Sequence, residues 1–187
     1  ENENMAKDEA VGFIYDGVKL MDEKYKAESQ ARKDWDANYA KKLADKKEAA
    51  ELSKELLINF KEAGNAFSFS LASLEARDIS NNPYAKKYLT HLSGEIYAIA
   101  QMSTCATSKI LLIAVRNGTA THFKLIKIHY EGAYRSTMDL ASVDTFGEKL
   151  TQNLSITLVN KGISVRADLT KTFLSTGKLE TRTLWAP

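Results

Sequence analysis

VKLMDEKYKAESQARKDWDANYAKKLADKKEAAELSKELLINFKEA, residues Val18–Ala63, runs for 46 residues without a glycine or a proline. Ala, Lys, Glu, Leu and Gln lose little side-chain freedom in a helix, and the two residues that most often end one are missing. At ~1.5 Å per residue an unbroken helix here would be roughly 70 Å long. A compact chain of this size has a radius of gyration of about 16 Å. The stretch therefore predicts either a stalk or a chain that reverses through a turn without glycine.

Apolar residues within and before this stretch recur at steps of three and four. Ile14, Val18, Met21 and Tyr25 form one run, Trp35, Tyr39 and Leu43 a second, and Leu56, Phe60 and Ala63 a third. Such steps place each run on one helix face. Where a continuous stripe needs apolar residues the chain supplies Glu28, Arg32, Lys46 and Ser53. A coiled-coil seam holds for three or four heptads, and this one is interrupted. The expectation is long helices packed as a bundle or hairpin, with Asp34–Asn38 as the best place for a reversal. A single helix with a solvated charged middle is the other option. Opposite charges at helical spacing, Asp22 with Lys26 and Glu28 with Arg32, add only tenths of a kcal/mol each.

Downstream, Gly64-Asn65 suits a helix C-terminus, and Phe67, Leu71 and Leu74 continue a helical face although Phe67–Leu71 also alternates. Asn82-Pro83 suits an N-cap followed by the first helical position, and Tyr88, Leu92, Ile96 and Ile99 predict a helix ending near Met102. After Thr104 the period changes to two. Lys109–Arg116 and Thr119–Tyr130 read as strands joined at Asn117-Gly118, a strong hairpin signal. Ile110–Val115 is apolar at every position and predicts a central strand covered on both faces. A second hairpin joins Leu154–Val159 to Ile163–Leu169 through Asn160-Lys161-Gly162, and Leu179–Trp185 reads as a last strand. Glu131–Thr151 is expected to hold a short strand and a turn. The fold class is α+β: long N-terminal helices, then an antiparallel sheet of about five to six strands. The regions are 1–104, helical, and 105–187, sheet, with a boundary near 103–108.

Composition narrows the function. With 44% hydrophobic and 27% charged residues the chain is an ordinary globular one, and its single cysteine, Cys105, excludes an internal disulfide or a cysteine-rich zinc site. Residues 1–90 hold 15 basic and 17 acidic residues and residues 91–187 hold 11 and 7, so no basic stripe points to nucleic acid. Ile96–Val115 has membrane-spanning length but contains Gln101 and Lys109, so no transmembrane span is predicted. The chain begins at Glu1 with no apolar leader. That fits a mature form after signal cleavage as well as a trimmed chain, and a secreted, periplasmic or envelope location is slightly favoured.

Candidate chemistry is sparse. His122 and His129 lie seven apart in one predicted strand and face opposite sides unless a bulge intervenes between Leu125 and Ile126. Cys105 with His91 or His122 would be a nucleophile and base only if the fold brought them together. Glu131, Asp139, Asp144 and Glu148 are acidic residues of an irregular stretch. Neither a phosphate-binding glycine loop nor a cofactor or metal motif is present. The expectation is a non-enzymatic interaction or assembly protein, with the helical region mediating association and the sheet meeting a partner. The candidate interaction face is Ile14, Val18, Met21, Tyr25, Trp35, Tyr39 and Leu43, and a second copy of the chain is the favoured occupant, giving a homodimer. A membrane-active protein using Ile96–Val115 is the alternative, and a small hydrolase working through Glu131–Thr151 the weaker one.

Overall fold

A computed structural model describes residues 2–104, 107–146 and 149–187, with side-chain burial for 12–104, 107–144 and 151–187. The chain divides into two compact units, Glu1–Asp45 and Lys46–Pro187. The described residues of the first unit are all helical. Helix α1 (Asn2–Leu57) continues into the second unit without a reversal. This corrects the expected bundle or hairpin. Asp34–Asn38 stays helical because nothing in it removes a backbone donor, and the Gln30 amide donates to Asp34 Oδ1 at 2.9 Å across one turn.

α1 stops at Leu57, before Gly64-Asn65. The Asn59 amide donates to the carbonyls of Glu55 at 3.0 Å and Leu56 at 3.1 Å, satisfying the acceptors that a helix end leaves open. Gly64 does adopt a left-handed φ of 57°, but in a turn between strands.

Eleven strands follow among the described residues: β1 (Lys61–Glu62), β2 (Ala66–Ser70), β3 (Arg77–Asp78), β4 (Glu95–Thr104), β5 (Ser108–Asn117), β6 (Ala120–His129), β7 (Tyr134–Phe146), β8 (Lys149–Leu150), β9 (Gln152–Asn160), β10 (Val165–Phe173) and β11 (Leu179–Ala186). The larger sheet has seven strands in the order β1-β4-β5-β6-β7-β8, with β3 also on β4, and the smaller runs β11-β10-β9-β2. Two sheets thus replace the expected one. The larger is mixed and not purely antiparallel, because β1 runs parallel to β4 with Lys61 opposite Ala100. That pairing follows from the chain leaving α1 beside β4, where Gln101 donates from Nε2 to the Leu57 carbonyl at 2.9 Å.

The expected second helix is only six residues long, α2 (Pro83–Tyr88). Its cap is as read: Asn82 Oδ1 accepts from the Tyr84 amide at 2.9 Å. Beyond it Gly94, at φ 129°, turns the chain into β4, and a Cβ there would lie 2.3 Å from the Arg116 carbonyl oxygen. The change from helix to strand therefore falls between Leu57 and Lys61 and not near residue 104. Phe67–Ser70 is likewise strand, followed by a single 3-10 turn over Leu71–Ser73.

The two sheets pack face to face. Phe69 and Phe123 meet with ring centroids 5.7 Å apart, in a core shared with Ile110, Leu112, Leu154, Ile156 and Leu169. The far side of the larger sheet carries a second core, where Leu111, Ile113, Ile126 and Ile128 pack with Leu56 and Phe60 and with Tyr84 and Leu89. β5 is thus central and covered on both faces, as its uninterrupted apolar run predicted. Each fully buried large apolar side chain contributes about 1.5–3 kcal/mol relative to exposure. The last turns of α1 belong to this unit. Tyr84 donates from its hydroxyl to the Gly132 carbonyl at 2.5 Å, and a Cβ on Gly132 would lie 2.2 Å from the Ala49 carbonyl oxygen. Lys87 and Glu48 pair at 2.6 Å.

Candidate association surface

A lone helix has no neighbour in its own unit against which to bury a side chain, and α1 shows the consequence. Among the described residues, ten of the sixteen exposed large hydrophobic side chains lie between Phe13 and Leu43. All seven residues of the expected face are among them, from Met21 at 75% exposure to Leu43 at 43%. Phe13, Tyr15 and Leu20 are exposed as well. They were missed because they flank the three-and-four pattern and do not lie on it.

The helix organises this surface locally. Trp35 and Tyr39, one turn apart, stack with centroids 5.4 Å apart and planes 5° from parallel. Asp22 and Lys26 pair at 2.7 Å, and Lys24 and Glu28 at 4.0 Å. These exposed pairs support the helix weakly. The stripe is broken at Glu28 with Arg32 and at Lys42 with Lys46; farther on at the same spacing, apolar Ala49 and Leu56 and the polar Ser53 are buried in the second unit.

The second unit offers an edge and two hollows. β11 lies at the margin of the smaller sheet with Leu179 and Trp185 exposed. An open depression of about 560 Å³ is lined by His91, His122, Lys124, Asp139 and Arg182 among others. A groove of about 730 Å³ runs past Phe60, Phe67, Leu74 and Arg77.

The candidate catalytic groups sit in ordinary surroundings. His91 shares a hydrogen bond with Thr137 Oγ1 at 2.9 Å and packs on Tyr134 with centroids 5.0 Å apart. His122 and His129 do lie on opposite faces, because β6 pairs with β5 in unbroken register from Asn117 opposite Ala120 to Ser108 opposite His129. The register shifts belong instead to β7, which carries extra residues at Arg135 and Leu140. The apolar positions of β6 change parity because both of its faces are covered, Phe123 and Leu125 by the smaller sheet, Ile126 and Ile128 by the helical side. His129 Nδ1 has the Glu131 carboxylate at 3.9 Å. Asp139 is paired with Lys124. Cys105 and Glu148 fall outside the described residues. No group of three or more metal-ligating side chains occurs among the described residues.

Among the described residues three groups have shifted acidities, each with a structural cause. Burial, and then Tyr88 and Tyr134, push the Tyr84 phenol well above 10.0. The bond to Glu95 raises Tyr97. Ser80, donating from both hydroxyl and backbone, holds Asp78 below 3.8. None of these places an acid and a base across a substrate-sized space.

Compared with protein-family models, curated proteins and solved structures, the chain finds no match. Among the described residues no helix is long and apolar enough to cross a membrane. Ile96–Thr104 lies in β4 and Ser108–Val115 in β5.

Proposed function

We propose that this chain is a non-enzymatic assembly protein whose N-terminal helix self-associates and whose two-sheet unit meets a further protein. The observation that carries the reading is the exposure of Ile14, Val18, Met21, Tyr25, Trp35, Tyr39 and Leu43 on one helix. Apolar side chains in this number are unusual on a free surface, where large contiguous patches mark interaction sites. A helix in water is held chiefly by burial of its apolar face, so association would stabilise the fold as well as join the copies. The exposed edge at β11 and the open depression beside His122 are the features of the sheet unit that would serve a partner.

Light scattering at micromolar concentration tests the first part, with Trp35→Glu and Tyr39→Glu alongside. The reading requires a wild-type mass above 20.8 kDa, reduced to one chain by both substitutions. Circular dichroism should show the sheet signal intact. A wild-type monomer at every concentration would remove the basis of the proposal.

A further inference from the structure

The stripe on α1 is self-complementary when read against its own reverse. Alternate steps of four and three run through Ile14, Val18, Met21, Tyr25, Glu28, Arg32, Trp35, Tyr39, Lys42 and Lys46, the a and d positions of a heptad. From Ala49 onward the same positions are buried in the second unit. Among the residues whose burial is described, the uncovered part thus spans residues 14–46, and its midpoint is Gln30.

We infer that two copies of α1 pair antiparallel about a two-fold axis at Gln30. This rests on the self-association proposed above and adds its geometry. Within residues 14–46 each seam position then meets one the same distance beyond residue 30 in the second copy. Glu28 meets Arg32, Tyr25 meets Trp35 and Met21 meets Tyr39. Val18 and Ile14 lie opposite Lys42 and Lys46, whose methylene stems cover them while the ammonium groups reach water. Each polar break in the stripe finds either an opposite charge or an apolar residue. Beside the seam the flanking positions meet two residues short of that mirror, so Tyr15 faces Leu43, another of the exposed pairs. One flanking contact is unfavourable, Asp22 near Asp36, and there Lys26 lies 2.7 Å from Asp22.

The parallel alternative fails on charge. In register it stacks Glu28 on Glu28, Arg32 on Arg32, and both lysine positions on themselves, four like-charge layers in one seam. Such juxtapositions are the usual means by which interfaces reject a register. The exposed area is of the order required. Tyr25, Trp35 and Tyr39 in two copies leave up to ~150 Å² each uncovered, roughly 900 Å² available before the aliphatic residues are counted. A stable interface needs about 1,200–2,000 Å².

Dipolar electron-spin distances decide the orientation in the full chain. Nitroxides are placed singly at Gln30→Cys and Asp16→Cys in a Cys105→Ser background, both on the helix side away from the seam. Antiparallel pairing offsets the two labels at position 16 by 28 residues, about 42 Å along the axis. The distance should therefore rise from roughly 20–30 Å at position 30 to ~45–50 Å at position 16, given helices 8–10 Å apart. Equal distances at the two positions in a confirmed dimer would overturn the antiparallel inference and leave self-association standing. A monomeric mass with no dipolar signal would overturn both. As a second measurement, Glu28→Arg should weaken the dimer roughly tenfold or more, and mixing it with Arg32→Glu should restore it. An unweakened Glu28→Arg dimer would take Glu28 out of the seam and defeat the pairing.

Discussion

Replacing Gly132 with Ala tests how the end of α1 is held on the larger sheet, because Gly162 provides a matched control. Both glycines have left-handed backbones, φ 85° at Gly132 and 88° at Gly162. An alanine at either position bears the same backbone penalty of about 1 kcal/mol. Around Gly162 nothing lies within 4 Å of an added Cβ. At Gly132 the Cβ would sit 2.2 Å from the Ala49 carbonyl oxygen and 2.7 Å from Ser53 Oγ. Normal contact needs more than an ångström of retreat by the helix backbone. That retreat loosens Leu56, 0% exposed, and stretches the Tyr84 bond to the Gly132 carbonyl. Losing half the burial of one leucine and one hydrogen bond costs about 2 kcal/mol more. Urea unfolding followed by circular dichroism should give a loss of about 1 kcal/mol for Gly162→Ala and about 3 kcal/mol for Gly132→Ala. Equal losses would mean that α1 does not rest on the turn between β6 and β7.

Tyr84→Phe should cost about 1 kcal/mol at neutral pH through the lost bond to Gly132. That deficit should shrink above pH 10: the unfolded phenol loses its proton near 10.0 while the folded one keeps it, so rising pH destabilises the wild type and spares the variant. A deficit constant through that range would contradict the burial of this hydroxyl. Gln101→Leu should destabilise by about 2 kcal/mol, because the Leu57 carbonyl at 2.9 Å and the Lys109 ammonium at 3.1 Å both lose their partner; a neutral result in thermal unfolding would argue against that clamp. Trp35→Glu should weaken self-association about a thousandfold. Trp35 is 65% exposed, and covering half of that remainder in two copies buries roughly 160 Å², worth ~4 kcal/mol. A sedimentation constant within threefold of wild type would place Trp35 outside the contact.

The sequence was most readable where local chemistry and tertiary environment agree. β5 announced its double burial through six consecutive apolar residues, and Gly118 and Gly162 hold left-handed backbones at the two expected hairpins. Misreadings cluster at bulges. Ile99 is an extra residue in β4, where pairing steps from Ala98 opposite Ile113 to Ala100 opposite Leu112. Ile96 and Ile99, three apart, face opposite sides of the strand and enter different cores, while the bulge brings Ala100 and Met102 onto the side of Ile99; the three-residue spacing imitated a helix. The two extra residues in β7 likewise broke the alternation that would have shown a strand of 13 residues over Tyr134–Phe146. The parallel β1 is two residues long, too short to carry any period. Whether α1 doubles back depended on a partner for its apolar stripe, and a stripe does not say which chain covers it.

Sedimentation equilibrium of the wild-type chain, from below one to about a hundred micromolar, tests the central claim that α1 is an association surface. The account predicts a mass rising with concentration from 20.8 kDa to about twice that value and no further, since a two-fold pairing closes on itself. A mass of 20.8 kDa across the whole range would contradict it.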